Sequence, residues 1–385
     1  NLLRDKAIGE RVVPIVPDEA RTFGMDALFK EFEIYAPFGQ LYEPVDKELL
    51  LSYTEAADGQ VLEEGITEAG SMCSFTAAGT AAVTWGQPMI PFFIFYSMFG
   101  FQRVGDLIWA AGDSGARGFM LGATAGRTTL IGEGLQHQDG HSLLLASTVP
   151  NVAAYDPAFA YEVATIIEDG ITRMFGPENR DEFFYITLYN ENYVMPTKPD
   201  NVDDGIRRGL YRFADAPDGP SRVATVLFSG SASQAAFAAR DALAKDFDVA
   251  VELWSATSYK TLREDALAVE RSNRLHPSRE PEVPYVTAAL ADSSGPIVAV
   301  TDFMKAVPDQ VSRWIPSRYI TLGTDGYGRS DTREALRRHF EVDAGHIVVA
   351  VLSALLAEGS ASAAEVEKAI DAFGINTESP DPRLA

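Results

Sequence analysis

Short apolar runs separated by helix-like segments recur along this chain, and that alternation confines it to an α/β architecture. Arg11–Val16 (RVVPIV) and Phe32–Pro37 (FEIYAP) read as short strands, and Glu68–Trp85 reads as a closely packed helix rich in small residues. Met89–Phe95 (MIPFFIF), Gly118–Ala125, Asn151–Tyr155 and Glu182–Tyr189 are continuous apolar runs, the pattern of strands buried on both faces of a parallel sheet. Between them Phe159, Val163, Ile166, Ile167, Ile171 and Met174 follow at helical spacing, with Asp156 as the expected N-cap and Pro157 in the first turn. Asn190–Asp218 is polar and proline-bearing and reads as a linker. The alternation then restarts with Arg222–Phe228, a helix over 232–247, Val249–Trp254, a helix over 261–273 and Pro296–Thr301. Three helix-like segments and an extended tail close the chain. The pattern predicts two successive domains, 1–197 and 198–385, each a mostly parallel sheet flanked by helices.

A length of 385 residues suits two domains. Lys and Arg number 32 against 55 Asp and Glu, a net charge of −23 that argues against binding a nucleic-acid backbone. The one cysteine, Cys73, rules out an internal disulfide framework and fits a reducing compartment. The run Met89–Phe101 falls short of the roughly 20 apolar residues of a membrane helix, and no secretory leader is visible. The expectation is a cytoplasmic protein with neither a nucleic-acid nor a membrane partner. The first residue is Asn rather than Met, so a piece of a longer protein is expected.

Three familiar motifs fail in detail. Gly112-Asp113-Ser114-Gly115 lacks the all-β, disulfide-bearing setting of a serine protease. Gly122 to Thr128 (GATAGRT) is one residue short of a phosphate-binding loop and carries Arg127 where Lys belongs. Gly323–Gly328 (GTDGYG) reverses the dinucleotide fingerprint and reads as a turn before a helix capped by Asp331, with Glu334 three residues on. His137-Gln-Asp139-Gly-His141 leaves three readings open: a polar loop, an acid–base or substrate site, or part of a metal site. The other three histidines lie far away in sequence, which disfavours the metal.

Three segments taken together are more specific: Glu63–Gly70 (EEGITEAG), Phe95–Arg103 (FYSMFGFQR) and Gly132–Ser142 (GEGLQHQDGHS). They resemble the pyrimidine-binding domain of transketolase-type thiamine diphosphate enzymes, and most closely the homodimeric-type pyruvate dehydrogenase decarboxylating component. Ile15–Met25, Ala123–Leu130, Tyr155–Val163, Thr301–Lys305 (TDFMK) and Gly323–Asp343 extend the resemblance along essentially the whole chain. It implies a pyrimidine-binding domain followed by a transketolase C-terminal-like domain. The implied activity is decarboxylation of pyruvate, with transfer of the acetyl group to the lipoyl domain of a dihydrolipoyl acetyltransferase. Transketolase-like ketol transfer and a catalytically silent dimerising fragment are the alternatives.

Residue by residue, the resemblance gives Glu68 the role of the carboxyl group that bonds the pyrimidine ring nitrogen of thiamine diphosphate. Such a group must both donate and accept a proton. Its place in a first helical turn favours the ionised form, while burial opposes it; the sequence leaves the balance open. Tyr96 and Phe99 match the aromatic positions that enclose the pyrimidine, and His137 matches a histidine directed at substrate. Asp18 matches an acidic residue near the thiazolium, or is simply a helix N-cap. The turn after Phe228 (SGSAS) is mostly a capping turn, the one place in the second domain with an anion-binding geometry. The family holds the diphosphate through Mg2+ on a separate domain carrying Gly-Asp-Gly and a later Asn, and no such pattern occurs here. The chain is therefore expected to lack metal ligands of its own, to depend on that missing N-terminal domain for cofactor binding, and to form a homodimer.

Overall fold

All but one of the apolar runs become strands of two large sheets in the computed structural model, which describes residues 1–17, 23–43, 45, 53–131 and 134–385; Ile34–Tyr35 pairs instead with Glu55–Ala56. The chain folds as two compact units. One comprises Asn1–Ala123, Thr148–Ala153 and Glu168–Ile186; the other comprises Thr124–Ser147, Ala154–Ile167 and Thr187–Ala385.

Six strands build the first sheet: β1 (Val12–Val16), β2 (Leu62–Glu63), β3 (Ile90–Tyr96), β4 (Gly118–Ala123), β5 (Val152–Tyr155) and β6 (Phe183–Thr187), in the order β2-β1-β3-β4-β6-β5. The pairs β1–β2, β1–β3 and β3–β4 are parallel. Strand β4 is buried throughout, as its unbroken apolar run requires. Phe92 stacks on Phe119 with centroids 4.6 Å apart, and Phe75, Phe93 and Phe95 are fully buried. Helix α1 (Glu68–Gly79) starts where Thr67 accepts a hydrogen bond from the Gly70 N–H at 3.1 Å. It packs on β3 and on helix α2 (Phe101–Asp113).

The second sheet has the order β11-β10-β8-β9-β7, from β7 (Tyr211–Ala214), β8 (Arg222–Phe228), β9 (Val249–Ser255), β10 (Ile297–Val300) and β11 (Tyr319–Leu322). All its pairs are parallel except the edge pair β7–β9. Helices α4 (Ser233–Asp246) and α6 (Ala344–Ala357) pack on this sheet, with α3 (Ala160–Phe175) and α5 (Tyr259–Leu275) completing the long helices. Two successive mostly parallel, helix-flanked sheets are thus the fold. The 25 residues Arg333–Ala357 are long and apolar enough to cross a membrane. They nevertheless form two helices, broken where Glu341 takes φ +59° and restarted by Asp343, which caps the His346 N–H at 3.0 Å. Ile347, Val348, Val351 and Leu352 of α6 are fully buried in the second core.

Three local expectations are corrected. Asp156 does not cap a helix. Helix α3 begins at Ala160, and Glu162 reaches back to accept the Ala158 and Phe159 N–H groups at 2.6 and 3.0 Å. Asp156 is left to accept from Thr187 Oγ1, Tyr189 OH and Ser229 Oγ at 2.5 to 2.7 Å. The expected linker holds a helix, Asp203–Arg208, ended by left-handed Gly209, and the edge strand β7. Its polar look hides Tyr211, buried with its hydroxyl donating to Glu162 at 2.7 Å. The cap before Arg333 is Thr332, one residue beyond Asp331, because the Thr332 hydroxyl accepts the Ala335 N–H.

Phe228 is fully buried, with the rings of Phe159, Phe213 and Phe237 at 5.6 to 6.0 Å. Phe228→Ala should cost about 3–5 kcal/mol by urea unfolding, since the rigid sheet cannot close the cavity. A loss under about 1 kcal/mol would show this cluster to be loosely packed.

Candidate active site

The first functional cluster forms where β3 ends. After Tyr96 the chain makes a tight 3-10 turn, Ser97–Phe99, and enters α2 at Phe101. Gly100 permits this, because a Cβ there would collide with the Phe95 ring. Tyr96, Phe99 and Arg103 are thereby brought to one strand end, and Glu68 arrives from the first residue of α1. The Tyr96 and Phe99 centroids are 5.9 Å apart at 58°, and Phe23 meets Tyr96 edge-on at 5.3 Å. Glu68 has a side chain only 12% exposed and accepts from Arg103 Nη1 at 3.1 and 3.3 Å through its two oxygens. The same guanidinium lies 3.7 Å from the Phe99 ring centroid. Glu68, Tyr96 and Phe99 are therefore assembled as one cluster, with Arg103 as the link between carboxylate and ring. Sequence reasoning passed over Arg103. The available signal was a basic residue one helical turn beyond Phe99 in the FYSMFGFQR stretch.

His137 belongs to the second unit, half-buried at the end of a short 3-10 turn, Leu135–His137. Its neighbours are pinned. Gln138 is buried and bonds the backbone of Arg329 twice: its amide nitrogen donates to the carbonyl, and its oxygen accepts the N–H at 2.7 Å. Asp139, fully buried, accepts the His141 and Ser142 N–H groups at 3.0 and 2.9 Å and so caps Ser142–Ala146. Gly140 accepts the Met304 N–H at 2.8 Å. Upstream, buried Asp302 accepts from the N–H groups of Arg127 and Thr128 at 3.1 Å, from Thr128 Oγ1 at 2.8 Å and from Ser231 Oγ at 2.9 Å. Gly126 sits at φ +85°, and a Cβ on it would strike the Asp302 carboxylate. Thr124, at φ +52°, holds a strained conformation just past β4, which a β-branched residue keeps only when its surroundings impose it.

Charge in this unit follows the same logic. Arg127 is buried among Asp139, Asp302 and Asp325, and burial lowers its pKa while the carboxylates oppose that. Burial raises the Asp302 carboxyl to about 6 against its hydroxyl and N–H donors. Burial is also the largest influence on Asp156 and pushes its carboxyl above the usual carboxylate range. The SGSAS turn spends its hydroxyls on these acids: Ser229 donates to Asp156 and Ser231 to Asp302. The TDFMK and GTDGYGRSD stretches therefore anchor the segments on either side of His137. Among the described residues no group of three His, Cys, Asp or Glu side chains is arranged to hold a metal ion. Asp18, Gly132 and Glu133 lie outside the described residues.

The family model for the pyruvate dehydrogenase E1 component middle domain matches residues 1–196, and that for the transketolase-like C-terminal domain matches 209–343. A pyruvate dehydrogenase E1 component from Mycolicibacterium smegmatis is 55% identical over 376 residues, 97% of this chain and 40% of the relative. The chain thus spans about two-fifths of the length of the curated relatives it matches. Among solved structures, a transketolase from Leishmania mexicana superposes with a TM-score of 0.64 at 15% identity, over 90% of this chain and 43% of that one. A split-gene transketolase, described as an inactive β4 tetramer, gives 0.58 at 17% identity, over 90% of this chain and 92% of that one. At these identities the structural likeness shows the fold.

Asp302 has a folded-state pKa near 6 against an ordinary 3.8, so its stabilising contribution is complete below pH 3.8 and is lost as pH rises through 6. The stability gap between wild type and Asp302→Asn, read by urea unfolding, should move against wild type by about 1 kcal/mol between pH 5 and 7.5. A gap independent of pH would show an ordinary carboxylate at this position.

Proposed function

The chain belongs to the pyruvate dehydrogenase E1 component family, and on that premise we propose that it supplies the pyrimidine-side half of an active site that decarboxylates pyruvate. The E1 and transketolase-like families are thiamine diphosphate enzymes. The observation that carries the reading is the cluster of Glu68, Tyr96 and Phe99 at the end of β3. The donor chemistry fits an aminopyrimidine: one largely buried carboxylate able to bond a ring nitrogen, beside two aromatic rings able to stack.

Bound thiamine diphosphate supplies the nucleophilic carbon and the electron-accepting ring that pyruvate decarboxylation needs. Glu68 holds and moves a proton at the pyrimidine ring nitrogen. Its place at the first residue of α1, with Thr67 capping the helix, fixes the carboxylate on a rigid element. Tyr96 and Phe99 orient the ring and keep water from that proton. His137 acts at the substrate oxygen, either holding developing negative charge or moving a proton. The pinning of Gln138, Asp139 and Gly140 gives it a fixed base to act from. We assign the diphosphate and its Mg2+ to residues outside these 385, since the sequence carries no Gly-Asp-Gly followed by Asn at the expected interval. A homodimer in a bacterial cytoplasm, passing its acetyl group to the lipoyl domain of a dihydrolipoyl acetyltransferase, completes the reading. The split-gene transketolase chain, of similar span, is an inactive tetramer, which supports the view that these two domains alone associate without turning over.

Glu68→Ala in the full-length enzyme should lower pyruvate-dependent carbon dioxide release at least about 100-fold, the usual scale of an acid–base group. Retention of more than about a tenth of the rate would contradict the role given to Glu68.

A further inference from the structure

We infer that the turn Asp381–Leu384 is a positioning element for His137, acting on it through the loop that follows β11; this rests on the reading of His137 given above. The first half of that loop is bonded in place. Thr324 donates its N–H to the Phe303 carbonyl and its hydroxyl to the Asp302 carbonyl, each at 2.8 Å, and its own carbonyl accepts from Arg127 Nη1. The Asp325 carboxylate accepts the Lys305 N–H at 3.0 Å. The second half is held differently. Gly326, Tyr327 and Gly328 make no hydrogen bond among the described residues, and the Tyr327 side chain is exposed. Their position is therefore set by what packs against them. At Gly326, φ +97°, a Cβ would come 2.3 Å from the Pro382 carbonyl oxygen and 3.3 Å from Arg383 Cα. At Gly328 a Cβ would come 2.7 Å from Gln138 Oε1 and 3.1 Å from the Leu135 carbonyl oxygen. The first glycine admits the turn and the second admits the segment that carries His137. The two Gln138–Arg329 bonds close the link one residue further on. The GTDGYG stretch, which fails as a dinucleotide fingerprint, needs these two glycines for those contacts.

The turn can hold the loop because it is locked within itself. Asp381 accepts the Arg383 N–H at 2.9 Å and Arg383 Nε at 3.0 Å, and the Leu384 N–H donates to the Asp381 carbonyl at 2.8 Å. Pro382 fixes its own φ, so the carbonyl that meets Gly326 has little freedom. Charge adds a second attraction: the Asp381 carboxylate lies in the field of the Lys305 ammonium, and the Arg383 guanidinium in that of Asp325. Asp381 and Arg383 face solvent, where such pairs are screened, so the close backbone packing at Gly326 carries the contact. Without the turn, a segment that lacks hydrogen bonds of its own opens at low cost, and Gln138 loses a fixed partner.

The experiment compares the full-length enzyme, saturated with thiamine diphosphate and magnesium, with a variant lacking residues 378–385. Gly326→Ala displaces the same turn in a complete chain and serves should the shortened protein fail to fold. Both changes are also made in a His137→Ala background. Two quantities are read: pyruvate-dependent carbon dioxide release, and backbone hydrogen exchange over residues 134–142 followed by mass spectrometry. Loss of the turn should speed that exchange about 10-fold and lower kcat about 5- to 20-fold, with KM for pyruvate within about 2-fold, the scale of a misaimed group. In the His137→Ala background it should lower kcat by less than about 2-fold more, because both changes act on one step. Unchanged exchange over 134–142, or the same fold-loss in both backgrounds, would overturn the positioning role, while a large effect of His137→Ala alone would leave the reading of His137 standing. His137→Ala with the wild-type rate would overturn that reading and the inference with it.

Discussion

A carboxylate that is nearly shut off from water must be given a partner, and Glu68 is the point where this chain meets that requirement. With aromatic side chains on one side and a helix start beneath it, the group has few donors within reach. Arg103 fills the need through one nitrogen, Nη1, that reaches both carboxylate oxygens, while its guanidinium lies over the Phe99 ring. The arrangement around it exists because β3 ends in a turn too tight for any side chain at Gly100, which sends Tyr96, Phe99 and Arg103 to one place.

The second unit solves a different problem, that of holding a polar loop still. Buried acids would be costly if left unpaired, yet Asp139, Asp156 and Asp302 each collect hydroxyl or N–H donors, and Asp302 and Asp139 face the buried cation of Arg127. The donors come from strand ends and turns far apart in sequence. A network of this kind fixes backbone position more narrowly than apolar packing would, because each bond has a direction. That suits segments flanking a histidine whose proposed work depends on where its ring is aimed.

Much of this was legible from the sequence, and the reason differs from case to case. The strand runs were plain because burial on both faces leaves an unbroken apolar signature, as in β3, β4 and β6. Glu68 sits where a first helical turn was expected, and Tyr96 and Phe99 lie within one short segment, so contiguous residues carried the cluster. Arg103 was missed because its meaning comes from a partner 35 residues away. Gln138 was missed because its partner is 191 residues away. Asp156 looked like a helix cap because Asp-Pro is the local signature of one. Glu162 took the capping task, and the acid went instead to hydroxyls supplied by Thr187, Tyr189 and Ser229. The strand at Tyr211 was hidden in a stretch whose many polar and proline residues mask the short buried run Leu210–Tyr211.

The most direct test of the central claim is a crystal structure of the full-length enzyme with thiamine diphosphate bound. The account predicts a Glu68 carboxyl oxygen within hydrogen-bonding distance of a pyrimidine ring nitrogen, with the ring enclosed by Tyr96 and Phe99. A bound cofactor whose pyrimidine ring makes no hydrogen bond to Glu68, or a Glu68 carboxyl group turned to solvent, would contradict it.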